Sequence, residues 1–173
     1  MMTDRIEKSI ELKAPVERVW RALTDHVEFG TWFRVKLDRP FVPGETSRGP
    51  LLYPGFEHVL WEARIVAMEH PSLFAFTWHP YAVERGVDYS GEPPTRVEFH
   101  LAPTAAGTRL TVTESGFDAL PAHRRDLAFR MNDGGWAAQM RNIEAHVGQD
   151  AEQGQDTKQG QDTKQGAARG IAS

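Results

Sequence analysis

Between His58 and Glu114 the chain alternates apolar and polar residues through four stretches: HVLWEARIVAME, SLFAFTW, TRVEFHLAP and GTRLTVTE. Alternation places every second side chain on one face of a strand. Val59, Trp61, Ala63 and Ile65 share a face, against Glu62 and Arg64 on the other. Phe74, Phe76 and Trp78 repeat the arrangement, as do Val97, Phe99 and Leu101, and then Leu110, Val112 and Glu114. Consecutive strands joined by turns pair antiparallel, and a meander with one apolar face needs a cover. One element is large enough to supply it. From about Pro121 to Val147, the residues Trp136, Met140, Ile143 and Val147 recur at helical spacing, which predicts a helix roughly 40 Å long. The combination dictates an α+β fold, a bent antiparallel sheet wrapped around a long C-terminal helix.

The remaining segments fit around that core. RIEKSIELKA alternates, with Ile6, Ile10 and Leu12 on one face, and predicts a first strand. APVERVWRALTD follows, with Pro15 in the first turn of a helix and Val16, Val19, Trp20 and Leu23 as its apolar stripe. Asp25 and Glu28 have the spacing of a capping box, so a second short helix is expected. WFRVKLD predicts a short strand, and PFVPGETSRGPLLYPGF a strand mixed with turns. YAVERGVDYSGEPP is a long loop, and Gly107 lies in a hairpin turn. The end of the chain is different in kind: GQDTKQ occurs twice in succession, and large apolar side chains vanish until Ile171. Such a segment cannot bury enough surface to offset its ordering entropy. The expected organisation is one domain over residues 1–148 and a disordered low-complexity tail over 149–173.

Composition removes several function classes. With no cysteine among 173 residues, disulfides, thiolate zinc sites, cysteine-held iron–sulfur clusters and a cysteine nucleophile are excluded. The net charge of −4 and the lack of a Lys/Arg-rich run give no footprint for nucleic acid. No stretch approaches the ~20 apolar residues of a membrane span, and no leader-like segment opens the sequence, so a cytoplasmic protein is expected. The histidines (His58, His70, His79, His100, His123 and His146 among them) show no ligand spacing on a helix, and no metal is expected. No dinucleotide fingerprint, P-loop or nucleophile elbow occurs, and no cofactor is expected.

Four stretches carry a resemblance. APVERVWRALTD, HPSLFAFTW, GTRLTVTESGF and GGWAAQMRNI, in that order, resemble the opening helix, the central and hairpin strands and the last helix of the SRPBCC (START-like) superfamily. Within it they are similar to the heat-shock protein 90 ATPase activator homologue family. The resemblance covers about Ile6 to Val147 and implies a helix-grip fold, with two short helices between the first two strands. VPGETSRG stands where relatives often have paired glycines, and the loop from His79 to Pro94 is longer than in the simplest members. The resemblance also implies a cavity between sheet and helix, and three functions: non-enzymatic binding of a small hydrophobic or aromatic ligand, a polyketide cyclase-like or hydrolase-type reaction, and a chaperone partnership resting on the family name alone.

The alternation and the helix stripe place Trp61, Phe76, Trp78, Phe99, Trp136 and Met140 toward that interior, with Trp32, Phe33, Tyr53 and Phe56 on adjoining elements near an entrance. Aromatic walls with a few polar groups suit an apolar or aromatic ligand. Glu114 is the catalytic candidate and is counted among the ligand-binding residues as well. It shares the parity of Leu110 and Val112, so it either points inward, where burial would raise its pKa, or reaches water at the strand end. In AHRRDLAFR the basic residues read as a solvated helix face with Asp126 nearby. Gly134 and Gly135 precede Trp136 in mid-helix, where each costs about 1 kcal/mol relative to alanine. The expectation is a close approach of strand or loop to the backbone at Gly135.

Overall fold

The computed structural model describes residues 4–172, with side-chain surroundings for residues 4–149. Strand β1 (Arg5–Leu12) is followed by helices α1 (Val16–Thr24) and α2 (His26–Phe33). Five strands follow: β2 (Thr46–Pro50), β3 (Leu60–Glu69), β4 (Leu73–Trp78), β5 (Thr95–Pro103) and β6 (Thr108–Ser115). A short turn of helix at Phe117–Ala119 leads into α3 (Ala122–Ala172). The strands form one antiparallel sheet in the order β1-β6-β5-β4-β3-β2. This is the expected helix-grip architecture. Residues 150–173, on which most of the expected disordered tail falls, lie outside the residues whose side chains are described.

The alternation of the sequence becomes the inner face of the sheet. Trp61, Ala63 and Ile65 of β3, Phe74 and Phe76 of β4, Val97, Phe99 and Leu101 of β5, and Leu110 and Val112 of β6 are buried. Trp136, Met140, Ile143 and Val147 of α3 close over them, together with Val19 and Leu23 of α1 and Phe29, Trp32 and Phe33 of α2. Alternation fails in β3 after Ile65, where a register shift falls between Ile65 and Ala67.

Asp25 caps α2 as its spacing with Glu28 suggests: its side chain accepts from the backbone N–H groups of Val27 and Glu28, both at 3.0 Å. Glu28 does not reach back to complete the box. It turns to Arg18 at 2.7 Å, Arg21 at 2.9 Å and His146 at 2.9 Å, tying α2 to α1 and α3.

Three sequence expectations are corrected. WFRVKLD is not a strand: Trp32 and Phe33 finish α2, Arg34 adopts a left-handed conformation (φ 65°), and Val35 makes one isolated bridge to Leu51. The chain doubles back so tightly there that a Cβ on Gly30 would collide with the carbonyl oxygen of Val35, and only glycine leaves that room. The second correction concerns Gly134 and Gly135. Both are exposed, and a Cβ on either would meet nothing within 4 Å. Trp136 turns inward from its exposed neighbours and is buried. The third is Arg124, which is not on a solvated face: its side chain is only 12% exposed and is taken up by the loop from His79 to Pro94.

Candidate functional site

Glu114 stands where β6 meets β5 and β1, opposite Val97 and Ile6, and it is fully buried. Of the two placements its parity left open, the structure shows the inward one. Four donors converge on it. Oε1 accepts from Trp136 Nε1 at 2.8 Å and from Asn132 Nδ2 at 2.9 Å, both on α3. Oε2 accepts from Trp78 Nε1 at 2.7 Å and from the Thr95 hydroxyl at 2.5 Å. Asn132 and Trp136 lie one helical turn apart, so both reach the same oxygen. Thr95 shares the inward parity of Val97 and Phe99.

None of the four partners carries a charge. Burial pushes the Glu114 carboxyl above its ordinary range, and the hydrogen bonds from Thr95, Trp136, Trp78 and Asn132 pull it back only in part. A hydrogen bond to a charged group contributes about 1.5–3 kcal/mol, but removing a carboxylate from water costs several kcal/mol. Both oxygens are already doubly engaged, so the group pins α3 to the sheet and offers little to anything else.

Around this pin the interior is packed ring against ring. Phe33 lies among four tryptophans, with ring centroids 5.8 Å from Trp32, 5.9 Å from Trp61, 6.2 Å from Trp78 and 6.2 Å from Trp136, and it stacks on Phe29 at 4.9 Å. Phe76 and Phe99 back this group, Phe76 touching Trp61 and Trp78 and Phe99 touching Trp136 and Trp32. These rings occupy the interior where a cavity was expected. Two surface depressions lie elsewhere: about 620 Å³, wide open, beside α1 at Pro15, Trp20 and Asp25, and about 230 Å³ near Arg39, Arg48 and Ile65.

The tryptophan N–H groups are unequal. Trp32 donates to the Ala22 carbonyl oxygen at 2.8 Å, and Trp78 and Trp136 donate to Glu114. Trp61 is 4% exposed, and its Nε1 is buried without a hydrogen-bond partner. A buried donor left unpaired costs about 1–3 kcal/mol, so it calls for a reason.

The remaining expected site residues separate. Trp32 and Met140 are core. Tyr53 is half-buried, accepts from Gln139 Nε2 at 3.0 Å and lies under the Arg34 guanidinium. Phe56 is exposed on the loop before β3. That loop touches the one before β5 through His58 Nε2 and the Val83 carbonyl oxygen, 2.9 Å apart. Arg124 holds the second loop. It donates to both Glu92 oxygens at 2.9–3.0 Å and to the carbonyl oxygens of Pro80 and Tyr81, and it stacks on Tyr89. Asn132 and Thr95 were legible from helical spacing and strand parity. Arg124 and Gln139 were not, because their partners come from loops.

Among the described residues no group of three or more His, Asp or Glu side chains is placed to hold a metal ion, and no helix is long and apolar enough to cross a membrane.

A curved sheet gripping one long helix, closed by an aromatic interior, defines a START-like α+β domain. The chain belongs to the activator of Hsp90 ATPase homolog 1-like protein family of the SRPBCC superfamily, whose description matches residues 13–148. Solved structures agree on the fold. Protein MLL2253 from Mesorhizobium loti has a TM-score of 0.66 at 21% identity, over 84% of this chain and 97% of that one. Protein NE0264 from Nitrosomonas europaea has a TM-score of 0.65 at 20% identity, over 84% and 95%. DynU16, a protein in the dynemicin biosynthetic locus, has a TM-score of 0.65 at 22% identity, over 84% of this chain and 48% of its own. No curated protein sequence matches the chain at a significant level.

Proposed function

We propose that this domain binds a small hydrophobic or aromatic ligand between the sheet and α3, without catalysing a reaction on it. The observation that carries this reading is the continuous aromatic surface that Phe33, Trp61, Trp78 and Trp136 present in that interior. A fold neighbour in a small-molecule biosynthetic locus points the same way. The ligand-binding set is Trp32, Tyr53, Phe56, Trp61, Phe76, Trp78, Phe99, Trp136 and Met140, with Glu114 fixing the helix. Binding requires the interior to open, at the expense of the ring contacts just described.

A cyclase- or hydrolase-type reaction would need Glu114 to face a reacting group, and both of its oxygens are already engaged by the protein's own Trp136, Asn132, Trp78 and Thr95. Binding is therefore preferred over catalysis. A chaperone partnership rests on the family description alone, and a cytoplasmic location rests on the sequence.

The test is a titration of tryptophan fluorescence and thermal stability against fatty acids, flavonoids and polyketide-like aromatics. The expected result is a saturable change with at least one class and a rise in Tm with ligand concentration. No response to any class would refute the reading.

A further inference from the structure

Phe33 and Trp61 together suggest what the ligand looks like, an inference that rests on the ligand-binding reading. Phe33 is the last residue of α2 and fills the space between Trp61, Trp78 and Trp136. The next residue, Arg34, holds a left-handed backbone conformation, which non-glycine residues adopt at a cost. Phe33 is thus packed against Trp61, Trp78 and Trp136, stacked on Phe29 within its own helix, and joined to a backbone position that relaxes if the segment moves. Trp61, in contact with Phe33, is the core tryptophan whose N–H has no acceptor among the described residues. The other indole N–H groups around Phe33 are committed, those of Trp78 and Trp136 to Glu114 and that of Trp32 to the Ala22 carbonyl oxygen.

We propose that Phe33 is a displaceable plug occupying the position of a ligand's aromatic ring, and that the Trp61 N–H is the donor for a carbonyl oxygen on that ligand. The ligand class is a planar aryl ketone or a related aryl carbonyl compound. Its ring replaces the Phe33 phenyl group among the tryptophans, and its oxygen supplies the acceptor that the protein leaves out. Glu114 takes no part in recognising the oxygen, because both of its oxygens are already engaged by Trp78, Thr95, Asn132 and Trp136.

The test compares two probes of nearly equal shape, acetophenone and α-methylstyrene, in which a methylene group replaces the carbonyl oxygen. Both are titrated into the full ¹⁵N-labelled chain, and the Trp61 indole resonance is identified by its loss in Trp61→Phe. The expected result is tighter binding of acetophenone, by about five- to tenfold, with a shift of the Trp61 indole resonance. Trp61→Phe binds the two probes equally. Phe33→Ala raises affinity for both about tenfold and keeps the preference. Phe33→Leu does the same to a smaller degree and serves if the alanine variant does not fold. Phe74→Ala opens a comparable space beside Phe29, Phe41, Phe76 and Phe99, and it creates no new preference for the ketone.

Equal affinity for both probes in the wild type, or a preference that survives Trp61→Phe, would overturn the role of Trp61. Unchanged affinity in the folded Phe33 variants would overturn the plug. If neither probe binds the wild type or the Phe33 variants while a fatty acid or other non-aryl ligand does, the inference fails and the ligand-binding reading stands. If nothing binds in either experiment, both fail.

Discussion

Trp136 on α3 donates its indole N–H to Glu114 on β6 across 2.8 Å, and no charged group stands among the carboxyl's four partners. The long helix is therefore joined to the sheet by a buried acid that burial holds partly toward its protonated form. A protonated Glu114 can keep all four contacts: its proton can go to the Thr95 hydroxyl, which can accept as well as donate, while both indoles still donate to it.

Stability should carry the signature of that acid. Its folded pKa lies above the unfolded value of 4.5, so the folded state holds the proton more tightly. The resulting contribution is complete below the unfolded value and is lost as pH rises through the folded one. Glu114→Gln should remove this dependence. Its amide can replace the proton toward Thr95 but cannot accept from the indole on the same side. At acid pH the variant should be less stable than the wild type by about 1–3 kcal/mol, and the gap should narrow toward neutral pH. Urea unfolding across the range measures it, and a gap that widens with rising pH would contradict the arrangement.

Arg124→Met should loosen the loop from His79 to Pro94 without unfolding the sheet. The substitution removes the contacts to Glu92, Pro80 and Tyr81 and leaves Glu92, 16% exposed, without its cation. Removing one side of such a half-buried pair costs about 1–3 kcal/mol. Hydrogen exchange should accelerate for residues 80–92 while β3, β5 and β6 stay protected. Uniform acceleration across the sheet would show that the clamp supports the whole fold.

Gly134→Ala and Gly135→Ala should each stabilise the protein by about 0.5–1 kcal/mol, since an added Cβ meets nothing at either site and the helix gains propensity. Gly135→Leu should be tolerated too. Thermal melts decide the matter, and a loss of stability at either position would restore the close-approach account.

Those glycines mark the boundary of what the chain discloses. The sheet, its antiparallel order and the inward set from Trp61 to Val112 follow from a period of two. Trp136, Met140, Ile143 and Val147 follow from a period of 3.6. Asn132 was within reach of the same argument. Periodicity says which side of an element is apolar but not what lies over its other side, and so Gly135 was misread. It also cannot tell an enclosed cavity from a filled one: Phe33 closes the space among four tryptophans because Gly30 and Arg34 turn the chain back on itself. The Arg124 clamp depends on a loop whose path no local pattern sets.

Glu28 should govern the acid side of the stability profile, in the opposite sense to Glu114. Burial alone would raise its pKa, but hydrogen bonds from His146 and Arg18 and the charges of Arg18 and Arg21 lower it below 4.5. A carboxylate whose folded pKa is depressed contributes stability above its unfolded value, and that contribution disappears as pH falls through the folded one. The contacts join α1, α2 and α3, so their loss frees the segment that positions Phe33. Glu28→Gln should be less stable than the wild type by about 1–2 kcal/mol at neutral pH, and the two should converge as pH falls through the folded value. Circular dichroism melts from neutral pH into the acid range check this, and a difference that persists unchanged at low pH would mean that Glu28 acts through packing rather than charge.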